Sequence, residues 1–361
     1  MEQGPIRRAF ARFKSFYRSH FILFQVWRYR NRPFILGIWI NRHERLGARA
    51  VSTDLPFVWA GFVGRPTNGW SNAEIRALVE RLARMAKRPT GVVWGYRDRT
   101  RGYSLERMFP EVIRLENGLI PGRYHRRFKT AFIVDRRGAY FDGRTASDWE
   151  DAVQAMKPGY GRAPAARALL ERVRGRQITK YRASSDRAVT LPPGSLLILG
   201  QRNGDQAINL TETIAKTNRE FIAHLYDAEP VPGVTAHFYK PHPRNDNASE
   251  IDGIRADHPD LVVIDPGVNV HRLFAQQPRV ATITSGAGLE AALHGCEVYT
   301  FGISFYSNFG FTIDHFDCPR RTNRLTAEDI ATFMWMGWTV YVDPRTRRPV
   351  PVERVFGLNS N

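Results

Sequence analysis

The alternation of short apolar runs with helical stretches in the second half most constrains how this chain can fold. Five apolar runs predict buried strands, at 195–200, 235–240, 261–265, 279–284 and 296–302. Helical periodicity fills intervals between them, as in 208–227 and in a helix that opens at Ser285. Because strands that alternate with helices pair in parallel through right-handed crossovers, the pattern predicts an α/β fold. In open α/β sheets, ligands bind beyond the carboxyl ends of the strands.

The first half of the chain shows the same kind of pattern from about residue 50. Ser71 and Glu74 have the spacing of a capping box that opens a helix, and Pro89 ends that helix. The segments that follow predict a strand over 90–96, a strand over 111–118, a hairpin over 130–143 and a short acidic helix from Ser147. The first half therefore predicts a second α/β unit.

A chain of 361 residues has room for two domains of ordinary size, each with its own core. The segment RASSDRAVTLPPG, residues 182–194, has the composition of a linker between them. The predicted organisation is a basic aromatic segment over 1–50, an N-terminal Rossmann-like domain over 51–185, a C-terminal Rossmann-like domain over 186–340 and a tail over 341–361. Two such domains joined by a linker predict a cleft between them.

The net charge of +18 is concentrated near the beginning of the chain. Residues 1–49 hold eleven Lys and Arg residues against two Glu residues, together with ten aromatic residues. Three interpretations stay open: a solvated basic face above an aromatic core, contact with an anionic membrane surface, and binding of nucleic acid. Because no helix-turn-helix, zinc-finger or RNP signature accompanies the charge, we expect no nucleic-acid partner.

The sequence contains no apolar run of about 18 residues, so we expect no transmembrane helix. The stretch FILFQVW, residues 21–27, lacks a small-residue cleavage site and runs directly into Arg28, so we expect no signal peptide. Cys296 and Cys318 lack metal-ligand spacing, and we expect two structural thiols in a reducing compartment. The expected location is the cytoplasm, with peripheral contact at the inner face of the inner membrane as the membrane-bound alternative.

Four polar or glycine-rich segments follow predicted strands in the second half. They are GQRNGD (200–205), KPHP (240–243), TSGAGLEAALHG (284–295) and FGISFYSNFGFTID (301–314). Each alone has a structural interpretation, respectively an Asn-Gly turn, a stiff proline turn, a strand-to-helix turn and an aromatic plug. The prolines on both sides of His242 restrict its backbone. Since all four segments fall at strand ends, we expect them to border one ligand site.

The glycine-rich segment after residue 284 has the chemistry of an anion site. Ser285 can cap the helix, Gly286 and Gly288 let the backbone approach a ligand, and free N–H groups at a helix start bind anions. The Walker and GxGxxG spacings are both absent, so neither of those nucleotide loops is predicted. In the first half, Glu116 ends a predicted strand facing the expected cleft, as either a surface residue or a catalytic one.

The order of these motifs resembles that of the capsule polysaccharide β-Kdo glycosyltransferases of the KpsC/KpsS type. The matching segments are Gln201 to Asp205, His242-Pro243, Ser285 to Gly295 and Gly302 to Gly310. In the first half, VVWGY, RLENGLIPG and FIVDRRGAYFDGRTASDWE are similar to the family's Trp-Gly strand, its Glu-Asp-Gly-Phe-Leu loop and its Asp-rich hairpin. The resemblance extends from about residue 90 to residue 315.

The resemblance implies a GT-B fold, in which two Rossmann-like domains face each other across a cleft and the second binds most of the donor. The implied reaction transfers Kdo (3-deoxy-manno-octulosonic acid) from CMP-Kdo with retention, by double displacement, to a glycan or lipid-linked acceptor. CMP-Kdo is then the donor substrate, and no separate cofactor is implied. Because CMP leaves as a phosphate monoester and no Asp-x-Asp triplet occurs, we expect no metal.

The resemblance also implies roles for individual residues. Asp205 is the expected nucleophile, Glu116 the acid/base, and His242 a cation or hydrogen-bond donor against the phosphate. The expected donor-binding residues are Gln201, Lys240, Pro243, Ser285, Gly286, Ala287, Gly288 and Glu290, and the expected acceptor or cleft residues are Asn117 and Tyr306. Gln201 is expected to orient Asp205 or the sugar, and charge alone suggests that Lys240 or Arg244 meets the Kdo carboxylate.

Departures from the family pattern affect the expected acceptor contacts more than the donor chemistry. Asn117 stands where the family has Asp, and residues 119–122 read Leu-Ile-Pro-Gly instead of Phe-Leu-Arg-Ser. Two alternatives stay open: a GT-B transferase for another CMP-ulosonic acid, similar to sialyltransferases, and a non-catalytic protein that binds polyanions or nucleotide sugars. The charge favours the second alternative, whereas the presence of both Asp205 and Glu116 favours a catalyst.

Overall fold

A computed structural model describes residues 20–38, 40, 44–50, 55–59, 71–120, 130–181, 184–244 and 248–356. The chain forms two compact units. The first comprises Met1–Ala139 with Thr339–Gly357, and the second comprises Tyr140–Trp338 with Leu358–Asn361. Each unit contains one sheet with helices, so the predicted α/β class is confirmed.

The strands and helices of the described residues are numbered in chain order. The strands are β1 Phe34–Gly37, β2 Phe57–Trp59, β3 Pro89–Trp94, β4 Glu111–Asn117, β5 Ala131–Asp135, β6 Ser195–Leu199, β7 Ala236–Lys240, β8 Val262–Val263, β9 Arg279–Thr282, β10 Val298–Thr300, β11 Ile313–Asp314, β12 Val340–Val342 and β13 Pro349–Val350. The helices are α1 over 20–29, α2 Arg45–Ala50, α3 Asn72–Arg84, α4 Asp148–Ala155, α5 Pro164–Gly175, α6 Gln206–Asn209, α7 Asn218–Asp227, α8 Ala248–Asp257, α9 Val270–Phe274, α10 Ala287–Leu293, α11 Ala327–Thr332 and α12 Val352–Phe356.

The first unit is built on a seven-stranded sheet with the order β13-β12-β5-β4-β3-β1-β2. Strands β1 to β4 pair in parallel, whereas β5, β12 and β13 join antiparallel. The predicted hairpin over 130–143 is wrong, because β5 pairs with β4 and β12 and residues 136–143 form turns. The residues after 340, predicted as a tail, instead add two strands to this sheet.

Helix α3 begins with the capping box that the sequence predicts. The Ser71 hydroxyl accepts from the Glu74 N–H at 3.2 Å, and the Ser71 N–H donates to the Glu74 carboxylate at 2.7 Å. The apolar face of the helix is buried in the core against β1 and β3, because its apolar residues recur at helical spacing.

The second unit is built on a six-stranded sheet with the order β11-β10-β9-β6-β7-β8. All of its strand pairs are parallel. Numbered from β6, this is the order 3-2-1-4-5-6 of the Rossmann fold, and the order reverses between β6 and β9. A ligand crevice is therefore expected beyond the carboxyl ends of these two strands.

The helix predicted over 208–227 is two helices. Helix α6 ends at Asn209 and α7 starts at Asn218, where Thr217 and Glu220 form a second capping box. The Thr217 hydroxyl caps a new helix start within the predicted stretch, so the chain leaves α6 and turns before α7 begins.

Helices α4 and α5 belong to the second unit, although the predicted domain boundary lay at residue 185. The indole of Trp149 is buried, stacks on Phe333 and donates to the carbonyl of Phe305 at 3.0 Å. The carboxylate of Glu150 pairs with Arg320 and Arg321 at 2.7 and 2.9 Å. These contacts lie far apart in sequence, and they fasten α4 to the end of the second unit.

Candidate functional site

Gln201 joins the loops that follow β6 and β9, the two strands at the switch point. Its side-chain oxygen accepts from the Thr284 N–H at 2.7 Å, and its side-chain nitrogen donates to the Thr284 hydroxyl at 3.0 Å. Its backbone exchanges two hydrogen bonds with the Asn218 amide. Gln201 was predicted to orient Asp205 or the sugar, but its buried side chain is committed to Thr284. It therefore holds the two sides of the crevice together.

Asp205 lies in the loop after β6, half-buried, as the N-cap of the short helix α6. One carboxylate oxygen accepts from the Ala207 N–H at 3.0 Å. Among the described residues, the second oxygen has no hydrogen-bond partner. This carboxylate is thus oriented through one oxygen while the other is available for chemistry.

His242 follows β7, the strand next to β6, and its ring is oriented by two neighbours. The Arg244 N–H donates to its Nδ1 at 3.1 Å, so the neutral ring carries its proton on Nε2. The Tyr181 ring meets it edge to face, with the ring centroids 4.8 Å apart. The guanidinium of Arg244 lies 5.1 Å from the Tyr181 ring centroid. The proline turn thus presents His242 as a hydrogen-bond donor through Nε2.

The electrostatics around His242 are strongly positive. Burial, followed by the charges of Lys180, Arg244, Lys240 and Arg202, lowers the pKa of His242 to about 4. Of the two expected forms of His242, cation or hydrogen-bond donor, this lowered pKa favours the neutral donor near pH 7. Within the described ranges, Lys180, Arg202 and Arg244 form no ion pair with a carboxylate, although the charge of Lys180 also acts on the buried Glu290. Such a cluster attracts an anionic ligand.

The charge of Lys240 suggested contact with a sugar carboxylate, but its side chain is occupied by backbone carbonyls. Its ammonium donates to the carbonyls of Pro266 and Pro241 at 2.8 and 3.2 Å. Burial lowers the pKa of Lys240 to about 8, with the Asp265 charge opposing the shift. Arg244, by contrast, is exposed, as is Pro243 in the same turn. Of the two predicted carboxylate partners, Arg244 has the available side chain.

The loop after β9 starts helix α10 at Ala287, with Gly286 as the N-cap. The Ser285 hydroxyl accepts from the Ala287 N–H at 3.3 Å, and the Ser285 N–H donates to the Thr282 hydroxyl at 3.1 Å. Ser285, Gly286 and Ala287 are each half-buried, next to the Thr284 residue that Gln201 holds. The predicted helix start is therefore displaced by two residues, while the Ser285 hydroxyl still caps an N–H group.

Gly288 and Tyr306 pack against each other, whereas the sequence predicted that Gly288 binds the donor and Tyr306 borders the cleft. A Cβ atom on Gly288 would lie 2.0 Å from the Tyr306 hydroxyl oxygen. Gly288 is buried, so it makes room for this ring rather than for a ligand. Tyr306 was expected to border the cleft, but it is fully buried and its hydroxyl donates to the carbonyl of Ser285 at 2.8 Å. The buried ring therefore supports the loop that contains Ser285.

Glu290, predicted to bind the donor, belongs to a buried cluster with two histidines. It hydrogen-bonds to Thr179, and burial raises its pKa to about 7. The His271 Nε2 lies 3.4 Å from its carboxylate and donates to the carbonyl of Ile178 at 2.9 Å. The His271 Nδ1 lies 2.8 Å from Nε2 of His294. The cluster thus fastens residues 178–179 to α10.

Three residues beside His242 were not predicted from the sequence, namely Lys180, Tyr181 and Arg202. Lys180 and Tyr181 come directly after the segment that Glu290 and His271 hold. A basic and aromatic pair directly before the predicted linker was the available signal for Lys180 and Tyr181, but pairs of this kind are common beside linkers. Only the tertiary contacts assign them to the site.

Glu116 is half-buried in the first unit, near the carboxyl end of β4, the middle strand of the seven. Its carboxylate accepts from the N–H of Asn117 at 3.1 Å, and Asn117 ends the strand. Two residues earlier, on the same face of the strand, Arg114 is buried between Asp98 and Glu106. The predicted acceptor loop is described to Ile120, and Pro121 and Gly122 lie outside the described residues.

Over the described ranges, the structure contains no group of three or more His, Cys, Asp or Glu residues arranged to hold a metal ion. No helix in those ranges is long and apolar enough to cross a membrane. Cys296 and Cys318 are both free and buried.

The Rossmann-like second unit, together with the mixed-sheet first unit, defines a GT-B-like architecture. A family model described as "Capsule polysaccharide biosynthesis protein" matches residues 133–342. This range is more than half of the chain, and the protein belongs to that family. The predicted resemblance to the KpsC/KpsS type is thereby confirmed.

Curated relatives and solved structures agree with this membership. The capsule polysaccharide modification protein LipA of Neisseria meningitidis serogroup A is 24% identical over 229 residues, which are 62% of this chain and 32% of LipA. The lipopolysaccharide-processing protein LpsZ of Rhizobium meliloti is 25% identical over 253 residues, 66% of this chain and 56% of LpsZ. The chain thus spans about a third to a little over half the length of these relatives.

Two structures from Thermosulfurimonas dismutans share the fold. The KpsC β-Kdo 2,7 transferase superposes with a TM-score of 0.68 at 19% identity, over 90% of this chain and 97% of that one. The KpsC β-Kdo 2,4 transferase gives a TM-score of 0.64 at 21% identity, over 90% and 98%. Identities this low establish the fold alone.

Proposed function

We propose that this protein is a glycosyltransferase that transfers Kdo from CMP-Kdo to a glycan or lipid-linked acceptor in capsule or surface polysaccharide synthesis. The observation that carries the proposal is the cation cluster of Lys180, Arg202 and Arg244 around His242, beside the switch point of a Rossmann-order sheet. CMP-Kdo bears two anionic groups, the phosphate and the sugar carboxylate, which such a cluster suits. Family membership and the fold shared with two β-Kdo transferases support the same substrate class.

The proposed reaction proceeds by double displacement with retention. A carboxylate oxygen of Asp205 attacks the anomeric carbon of Kdo, the bond to the phosphate oxygen breaks, and CMP leaves with the bonding electrons. Glu116 then takes the proton of the acceptor hydroxyl, whose oxygen attacks the same carbon and displaces Asp205. Two inversions return the original configuration.

In this proposal, the side chains stabilise the leaving CMP. The Nε2–H of His242 donates to the phosphate, and Lys180 and Arg202 supply positive charge. The ring makes this contact in its neutral form, because Nδ1 accepts from the Arg244 N–H and Nε2 carries the proton. Since the positive charge comes from the protein, we expect activity without a divalent metal or other cofactor.

The test is CMP release from CMP-Kdo by the wild type and by Asp205→Ala. We expect the variant to lose at least about a thousandfold in rate, because an attacking group is removed. Asp227→Ala is the matched control, since Asp227 is an exposed carboxylate at the end of α7. Equal CMP release by the wild type and Asp205→Ala overturns the nucleophile assignment. Mass spectrometry of a Kdo adduct on Asp205 tests the covalent step directly.

A donor screen separates this proposal from its two alternatives. The same cation cluster suits any CMP-ulosonic acid, so preferential turnover of CMP-sialic acid favours the sialyltransferase-like alternative. Binding of these donors without CMP release in the presence of acceptor favours a non-catalytic polyanion- or nucleotide-sugar-binding protein. We also propose a cytoplasmic location with peripheral contact at the inner face of the inner membrane, where a lipid-linked acceptor is available.

A further inference from the structure

Helix α1, over residues 20–29, has two faces that are both apolar. One face is built into the first unit, since Ile22 and Val26 are buried in its core. On the other face Phe21, Phe24 and Trp27 are exposed by 61%, 57% and 51%. We call these three residues the aromatic face. Because the opposite face is anchored in the core, the rings are held on the surface of the folded unit.

The concentration of exposed apolar residues here is unusual for the molecule. Six large apolar side chains are exposed in the described part of the chain, and the aromatic face contributes three of them. The other three, Leu55, Val262 and Ile313, lie in separate segments of the chain. The rings of Phe24 and Trp27 stack with centroids 6.1 Å apart, so the face is continuous. A clustered apolar patch on a surface marks an interaction site.

Cations border the C-terminal end of the aromatic face. Arg28, Arg30 and Arg32 follow the rings in sequence, and Lys87 and Arg88 lie alongside because the Lys87 N–H donates to the carbonyl of Arg30 at 3.1 Å. We call these five residues the cationic rim. In the described ranges none of them forms an ion pair with a carboxylate. The guanidinium of Arg30 lies 4.5 Å from the centroid of the Trp27 ring.

We propose that the aromatic face and the cationic rim dock this protein on an anionic lipid surface. The rings enter the headgroup region, where Trp and Phe are favoured, and the rim meets the lipid phosphates. A second copy of the chain is disfavoured as the occupant, because two cationic rims would repel each other. The proposal concerns the first unit and does not depend on the transferase chemistry.

The experiment is flotation of the full-length protein with phosphatidylcholine vesicles that contain or lack phosphatidylglycerol. We expect binding only with phosphatidylglycerol, and the variant Phe24→Ser/Trp27→Ser should bind about 100-fold more weakly because two inserted rings are lost. Val262→Ser/Ile313→Ser is the matched control and should bind like the wild type, since these residues are 49% and 47% exposed elsewhere. Arg28→Gln/Arg32→Gln should weaken binding and reduce its dependence on salt.

The proposal is overturned if Phe24→Ser/Trp27→Ser binds like the wild type, if phosphatidylglycerol makes no difference, or if the variant instead loses RNA binding or self-association. Circular dichroism and CMP release without vesicles serve as controls for folding and chemistry. Because CMP release is measured separately, failure of the membrane proposal and failure of the transferase proposal are distinguishable.

Discussion

The replacement of Gly288 by Ala tests the assignment of this glycine to packing. The new Cβ would lie 2.0 Å from the Tyr306 hydroxyl oxygen and 2.9 Å from the ring carbon that bears it. Overpacking of this kind costs about 1–3 kcal/mol, and displacement of the hydroxyl from the Ser285 carbonyl costs about 0.5–1.5 kcal/mol more. The higher helix propensity of Ala returns up to about 1 kcal/mol. With that gain subtracted in full, we expect a net destabilisation of about 0.5–3.5 kcal/mol.

A double-mutant cycle with Tyr306→Phe identifies the cause. Removing the hydroxyl relieves the shortest contact, so Gly288→Ala should cost at least about 1 kcal/mol less in the Tyr306→Phe background. The free energy of unfolding is measured by chemical denaturation, and the affinity for CMP-Kdo by calorimetry. The difference between the double-mutant effect and the sum of the two single-mutant effects is the coupling energy of the two sites, and we expect it to differ from zero.

Two results would refute this explanation. Additive effects of Gly288→Ala and Tyr306→Phe on stability would mean that the ring is not what the Cβ atom meets. A variant Gly288→Ala with wild-type stability but weakened CMP-Kdo binding would restore the earlier prediction, in which the glycine lets a ligand approach the backbone.

Three further predictions concern Gln201 and His242. Gln201→Ala leaves the buried Thr284 N–H and hydroxyl without partners and should lower the free energy of unfolding by about 2–4 kcal/mol, measured by chemical denaturation; a loss below about 0.5 kcal/mol contradicts the bridge. His242→Ala should weaken CMP binding about 10–100-fold in calorimetry with little change in stability. Because the folded-state pKa of His242 is lowered to about 4, the unfolded chain binds this proton more readily, and stability should fall by about 1–2 kcal/mol between pH 6.5 and 4; unchanged pH dependence in His242→Gln opposes this.

The parts of the fold that depend on local sequence could be predicted. Strand β6 is five buried residues, four of them apolar, between turns, and the capping box at Ser71 needs only residues three apart. The antiparallel pairing of β12 with β5 could not, because it joins residues about 200 positions apart and nothing in either strand specifies the partner. The assignment of α4 to the second unit could not be predicted for the same reason, because it depends on contacts between distant residues such as Trp149 and Phe305.

At the candidate site, strand ends indicated the location but not the role of each side chain. The position of His242 could be predicted, because a proline turn directly after a buried strand places it at the strand end. Lys240, one position from the same turn, has an equally suggestive charge, yet its ammonium is used by two backbone carbonyls. Tyr306 likewise looked like a binding residue and packs under the loop instead. Hydrogen bonds to backbone groups distant in sequence leave no pattern in the sequence of either partner.

The bridge from Gln201 to Thr284 has a consequence for how the second unit responds to a ligand. Strands β6 and β9 pair along their length, and the side chain extends that connection past their ends, so the gap between the two loops has a set width. Adaptation to different donors must then come from the exposed side chains at its margin, such as Arg202 and Arg244, while the floor keeps its shape. Slow hydrogen exchange at the Thr284 amide, beside fast exchange at residue 202, would be the signature of a rigid floor with an adaptable margin.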